Sequence, residues 1–205
     1  MLLSCGAGRK NHKTRMSIFQ REDRSPYDLS NITILLAEDS QYMQTLFAAM
    51  LKAFGVGEIL ACANAKEATD LLTVTQARRT SRYVTDTDII VTDWLMPGGS
   101  GQELIQWVRG HESDDVRFLP IVVVSAYTTE LVASQARDYG ANEVLVKPVS
   151  GTSLASRICS VIDHPRPFIK APRFFGPDRR RQDMEFRGED RRRMKAEEIE
   201  VQHGR

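Results

Sequence analysis

The stretch Ile89-Ile90-Val91-Thr92-Asp93-Trp94-Leu95-Met96-Pro97-Gly98-Gly99-Ser100-Gly101 decides the fold. It opens as a short run of β-branched apolar residues and stops on a carboxylate. Ile89–Thr92 has four counterparts along the chain: Ile32–Ala37, Glu58–Ala61, Ile121–Val124 and Val144–Val146. Most are Val-, Ile- or Leu-rich, the pattern of strands buried on both faces. Helical spacing fills the intervals between them. Met43, Leu46, Phe47, Met50, Leu51 and Phe54 share one face, and Gly55 ends that helix. Ala65–Gln76 repeats the theme with Ala68, Leu71 and Leu72, and a third helix carries Leu104, Ile105 and Val108. Leu131, Val132, Ala136 and Tyr139 mark a fourth that Gly140 stops; Leu154, Ile158, Val161 and Ile162 mark a fifth. Repeated strand–helix alternation predicts an α/β fold, a doubly wound five-stranded parallel sheet with helices on both faces.

Right-handed crossovers put the C-terminal ends of all five strands on one edge, where such sheets bind ligands. Glu38 and Asp39 follow the first strand, Asp93 the third, Ser125 the fourth, and Lys147-Pro148 the fifth. A single acid at a strand end is usually a solvated loop residue, but this set falls at successive ends in order. Three carboxylates brought together repel unless a cation lies between them, and hard oxygen ligands suit Mg²⁺. A lysine and a hydroxyl aimed at the same point are what an incoming phosphoryl group needs. Aspartate can serve as the nucleophile and form an acyl phosphate.

With these residues the chain resembles the CheY-like receiver family of two-component signalling, over roughly residues 31–163. The segments that carry the likeness are Ile34-Leu35-Leu36-Ala37-Glu38-Asp39-Ser40, Asp93 through Gly101, Val124-Ser125-Ala126, and Gly140-Ala141 through Lys147-Pro148. The resemblance implies a flavodoxin/CheY-like sheet and Asp93 as phosphoacceptor. It implies Mg²⁺ held by Glu38, Asp39, Asp93 and the Leu95 carbonyl, and a phosphate sensed by Ser125 and Lys147. It further implies a histidine kinase or phosphotransferase as partner. Two features depart from the family pattern. Val144 stands at the aromatic switch position, three residues before the lysine. Leu95 and Tyr127 stand at positions that in receivers border the acyl phosphate, where their bulk would exclude attacking water, so slow self-dephosphorylation is expected.

Residues 1–30 are polar and unpatterned, and read as a disordered extension in which Met16 is an alternative start to Met1. Beyond Asp163, His164-Pro165-Arg166-Pro167 cannot continue a helix. Residues 164–205 form an arginine-rich tail whose apolar periodicity fails, and which is expected to be disordered without a ligand. The tail repeats itself: Phe174-Phe175-Gly176-Pro177-Asp178-Arg179-Arg180-Arg181 returns as Phe186-Arg187-Gly188-Glu189-Asp190-Arg191-Arg192-Arg193. Both copies fit F-x-G-x-D-R-R-R.

Arginine beside aspartate suits guanine. The guanidinium pairs with its O6 and N7, and the carboxylate accepts from the opposite edge. Two such clamps suit a ligand that carries guanine and phosphate in duplicate, namely cyclic di-GMP. The ending Arg173, Phe175, Gly176, Pro177, Asp178, Arg179, Arg180 resembles the Cle family, CheY-like effectors of cyclic di-GMP. By that resemblance Arg173, Asp178, Arg179, Arg180, Arg187, Asp190, Arg191 and Arg192 are the nucleotide-binding candidates. It also implies docking on the flagellar motor switch and recruitment to the flagellar pole.

Two alternatives stay open: a phosphorelay carrier with an incidental tail, and a nucleic-acid-binding regulator. The second is weakened by acids interleaved with the arginines, and by the lack of a recognition-helix domain. A full enzyme is not expected, since no room is left for an output catalytic domain. The formal net charge of +1 gives no overall polyanion bias. Cys5, Cys62 and Cys159 have neither metal-ligand spacing nor a disulfide pattern, so reduced thiols and a cytoplasmic location are expected. No apolar run reaches the roughly 18 residues of a membrane span.

Overall fold

In a computed structural model the described residues are 28–77, 86–126, 130–172, 174–179 and 200–202. The five anticipated strands are all present: β1 (Thr33–Ala37), β2 (Glu58–Cys62), β3 (Ile89–Asp93), β4 (Ile121–Ser125) and β5 (Glu143–Val146). They pair in parallel in the order β2-β1-β3-β4-β5. The order reverses between β1 and β3, which opens a crevice at their C-terminal ends.

Strand periodicity sends alternate residues to opposite faces, and the core divides accordingly. Leu35, Ala37, Ile90, Ile121 and Val123 meet α2 (Ala65–Ala77), α3 (Gly101–Arg109) and α5 (Glu130–Tyr139). Ile34, Leu36, Val91, Val122 and Val124 meet Phe47 and Leu51 of α1 (Gln41–Ala53), and Leu154, Ile158 and Val161 of α6 (Gly151–Asp163). Serines start three of these helices. Ser40, Ser100 and Ser150 each accept the backbone N–H three residues on, and Ser150 forms a capping box with Ser153.

Two features go beyond the sequence reading. A one-turn helix, α4 (Asp114–Arg117), precedes β4. The polar connection after α2 is described only from Asp86, so residues 78–85 of it lie outside. The largest departure is in the tail, read as unable to fold without ligand. Its described residues form an antiparallel sheet, β7 (Phe174–Pro177), β6 (Phe168–Ala171) and β8 (Glu200–Gln202), in that order across the sheet.

Three aromatic rings give this small sheet its hold. Phe118, just before β4, lies 4.7 Å from Phe168 and 5.3 Å from Phe175, centroid to centroid, both edge-on. The hairpin thereby uses the receiver's surface for the burial it lacks alone. Arg117 stacks on Phe175 at 4.4 Å, and Arg109 lies 5.0 Å from the centre of the Phe168 ring. Gly176 meets Gly140 so closely that a methyl group on Gly176 would lie 2.9 Å from the Gly140 Cα. All of these contacts are at the N-terminal ends of β4 and β5, the sheet edge opposite the crevice.

Candidate functional site

Glu38 is carried just past β1, and Asp93 closes β3, so the topology sets their carboxylates on the two banks of the crevice. With Asp39 they form a cluster whose nearest carboxylate oxygens all lie within 4.8 Å of one another. Glu38 is buried, Asp93 half-buried and Asp39 exposed. Lys147, one residue past β5, spans the pair. Its Nζ donates to Glu38 Oε2 at 2.9 Å and to Asp93 Oδ2 at 2.6 Å. The other Asp93 oxygen, Oδ1, accepts the Trp94 N–H at 2.6 Å and the Leu95 N–H at 3.4 Å. Gln44 on α1 donates to the Glu38 and Cys62 carbonyls, tying the acidic turn to β2.

The electrostatics follow from burial and neighbours. Burial raises the Glu38 pKa, and the nearby Asp93 charge adds to that, while the Lys147 hydrogen bond works against it. For Lys147, burial disfavours the charge, but hydrogen bonds to Asp93 and Glu38 outweigh it and raise the pKa. Three clustered carboxylates, two of them on one ammonium, leave an excess of negative charge, which hard oxygen donors in this number offer to a divalent cation. The donor set therefore fits Mg²⁺.

Ser125 ends β4, fully buried, and its carbonyl accepts the Lys147 N–H at 2.7 Å. The structure thus gathers Glu38, Asp39, Asp93, Ser125 and Lys147 at one edge. Leu95 is half-exposed beside them, and Tyr127 lies outside the described residues. Val144 packs partly buried against the core layer of α2, α3 and α5.

The family comparison bears on the domain that carries this cluster. The response regulator receiver domain model matches residues 34–159. The chain belongs to that family. Among curated relatives, the chemotaxis protein CheY-3 of Vibrio cholerae is 27% identical over 133 residues, 65% of this chain and 93% of that protein. The two-component response regulator ORR6 of Oryza sativa is 29% identical over 133 residues, 65% of this chain and 72% of that protein. Among solved structures, Vibrio cholerae CheY4 is 25% identical with a TM-score of 0.51, covering 63% of this chain and 98% of that one. Receivers are signalling domains, and this one has the CheY-like five-stranded sheet. Among the described residues no helix is long and apolar enough to cross a membrane.

Of the tail candidates only Asp178 and Arg179 are described; Arg173, Arg180, Arg187, Asp190, Arg191 and Arg192 lie outside. Arg179 donates to Asp138 Oδ1 on α5 and sits 5.2 Å from the centre of the Phe174 ring. The Asp178 N–H donates to the Pro167 carbonyl at 2.8 Å. Sequence reasoning missed Arg109 and Glu143, both buried. Arg109 continues the Ile105 face of α3 at i+4, a position that spacing alone marks as inward. Glu143 holds Arg157 at 3.2 Å and Arg166 of the tail at 2.8 Å. Cys62 and Cys159 are free thiols, and Cys5 lies outside the described residues.

One glycine is critical to the site. Gly101 opens α3 with its N–H on the Trp94 carbonyl at 3.0 Å, and any Cβ there would collide with the Asp93 carbonyl oxygen. Gly101→Ala is expected to lose about 2 kcal/mol of stability by overpacking against backbone, and to slow phosphoryl uptake by displacing Asp93. Urea denaturation and a phosphorylation time course check the two effects. A variant with wild-type stability would show that the loop yields freely.

Proposed function

We propose that the chain is a CheY-like signalling adaptor phosphorylated on Asp93. In this reading the arginine-rich tail binds cyclic di-GMP, and the protein docks on a partner such as the flagellar motor switch to control motility or attachment. The observation that carries the phosphoacceptor half is Lys147 bridging Asp93 and Glu38 inside the acidic cluster.

The donor is a phosphohistidine of a kinase or phosphotransferase, or a small-molecule phosphodonor. An Asp93 oxygen attacks phosphorus, the bond from phosphorus to the donor breaks, and its electron pair leaves with the donor. Lys147 exchanges Asp93 Oδ2 for a phosphate oxygen, and the Ser125 hydroxyl donates to another. Glu38, Asp39, Asp93 and the Leu95 carbonyl would hold Mg²⁺, which supplies charge neutralisation at the transferring phosphoryl oxygens. The chain itself catalyses nothing beyond this uptake and its own dephosphorylation.

Support for the nucleotide half is chemical. Two F-x-G-x-D-R-R-R copies offer paired guanidinium and carboxylate groups beside aromatic rings. Cyclic di-GMP titrated calorimetrically into the full-length protein is expected to bind at micromolar concentration or tighter. Arg179→Ala combined with Asp178→Ala should lose that heat, and GTP should give none. Absence of binding to the wild-type protein would leave the receiver function standing alone, as in a phosphorelay carrier. A salt-sensitive shift of DNA or RNA would instead favour the nucleic-acid reading.

A further inference from the structure

The first tail repeat is engaged before any ligand arrives. Arg179, its first arginine, donates to Asp138 Oδ1 while lying over the Phe174 ring of the same repeat. Asp138 is the penultimate residue of α5, where a carboxylate opposes the helix dipole and gains from a nearby cation. Both side chains are about half-exposed, at 52% and 47%, so water and an anionic ligand reach the pair freely. The backbone beneath is fixed independently, by Phe175 in the aromatic cluster and by the close approach of Gly176 to Gly140.

We infer that Asp138 is a built-in competitor for the ligand: its carboxylate holds the Arg179 guanidinium that a phosphate or guanine edge of a dinucleotide would take. This rests on the nucleotide-binding reading above. A carboxylate and a phosphate offer a guanidinium the same paired oxygens. Binding therefore exchanges one anion for another, and Asp138, left behind, repels the incoming phosphate. The threshold for the ligand is set by a receiver residue rather than by the tail alone. Since α5 follows the Ser125 end of β4 in the chain, that residue also belongs to the helix nearest in sequence to the phosphate sensor.

The test is Asp138→Asn in the full-length protein, with Asp70→Asn as control. Asp70 pairs with Lys66 on α2 and is likewise exposed. Cyclic di-GMP is titrated by calorimetry, and the Arg179 terminal Nη1–H group, the one that donates to Asp138, is followed by low-temperature nitrogen-15 NMR without ligand. Asp138→Asn should bind about fivefold tighter, the scale of an exposed ion pair, with Asp70→Asn unchanged. Equal or weaker binding by Asp138→Asn would overturn the inference; weaker binding would make Asp138 a ligand contact. If no protein binds the dinucleotide, the nucleotide reading fails separately. The contact is then judged on the Arg179 signal: protected in wild type and lost in Asp138→Asn supports it, unchanged overturns it.

Discussion

Asp93→Asn is expected to take up no phosphoryl group at all. Incubated with acetyl phosphate and Mg²⁺, the wild-type protein should gain the mass of one phosphoryl group, and the variant none. The expectation follows from the geometry. Asp93 Oδ2 is the atom on which Lys147 rests, at 2.6 Å, with Glu38 held by the same ammonium. Asparagine keeps the shape but presents a neutral carboxamide, whose nitrogen is a poor nucleophile and whose oxygen carries no full charge. Asp39, exposed and without Lys147 on it, has no such placement for the transfer. The folded structure should survive, since the Trp94 and Leu95 N–H groups can still donate to the carboxamide oxygen. Mass gained by the variant would place the phosphoacceptor elsewhere, and no gain by a well-folded wild type would defeat the proposed chemistry.

Arg109→Leu should cause the largest loss of stability of any single substitution considered, on the order of 4 kcal/mol. Arg109 is buried, and burial pushes its pKa down, to about 9, so it is still a cation at neutral pH. Every hydrogen bond found for it goes to a neutral oxygen. Its Nε donates to the Gly140 carbonyl at 2.9 Å, and one terminal nitrogen to the Arg117 and Leu119 carbonyls at 2.6 and 2.8 Å. The other terminal nitrogen reaches Asn142 Oδ1 at 3.0 Å, an oxygen that also accepts the Ile121 N–H. Leucine fills part of the space but strands buried carbonyls, each costing about 1–3 kcal/mol when left unmade, less whatever water and relaxation recover. Arg109→Lys should not rescue, because one ammonium cannot reproduce a planar fork. Urea denaturation monitored by tryptophan fluorescence measures both variants. A loss below about 1 kcal/mol would mean that the guanidinium is a weakly held surface group after all.

Much of the receiver was legible because its signals are local. Ile34–Ala37, Ile89–Val91 and Ile121–Val124 are too apolar for any position but a two-sided core, and all are buried. Once parallel order is granted, Glu38, Asp93, Ser125 and Lys147 must share an edge, so that cluster required no tertiary information. The short α4 was invisible because a single turn has no periodicity to detect. Arg109 was passed over because its meaning depends on carbonyls 8, 10 and 31 residues away. The hairpin failed to register for a similar reason. Phe168 and Phe175 are too few to form a core together, and their partner Phe118 lies 50 residues before Phe168 in the chain. Composition reported the tail's shortage of apolar residues accurately and said nothing of the surface that the receiver provides.

That shared surface bears on how the protein can be cut. A receiver ended at Asp163, where the sequence pattern changes, would bare the Phe118 ring, the outer face of Arg109 and the Glu143 carboxylate at once. Such a fragment would be a different material from the parent: stickier, and with Glu143 stripped of Arg166. Shorter expression products meant to isolate the receiver should run through Arg179, keeping the hairpin as part of the domain's own wall.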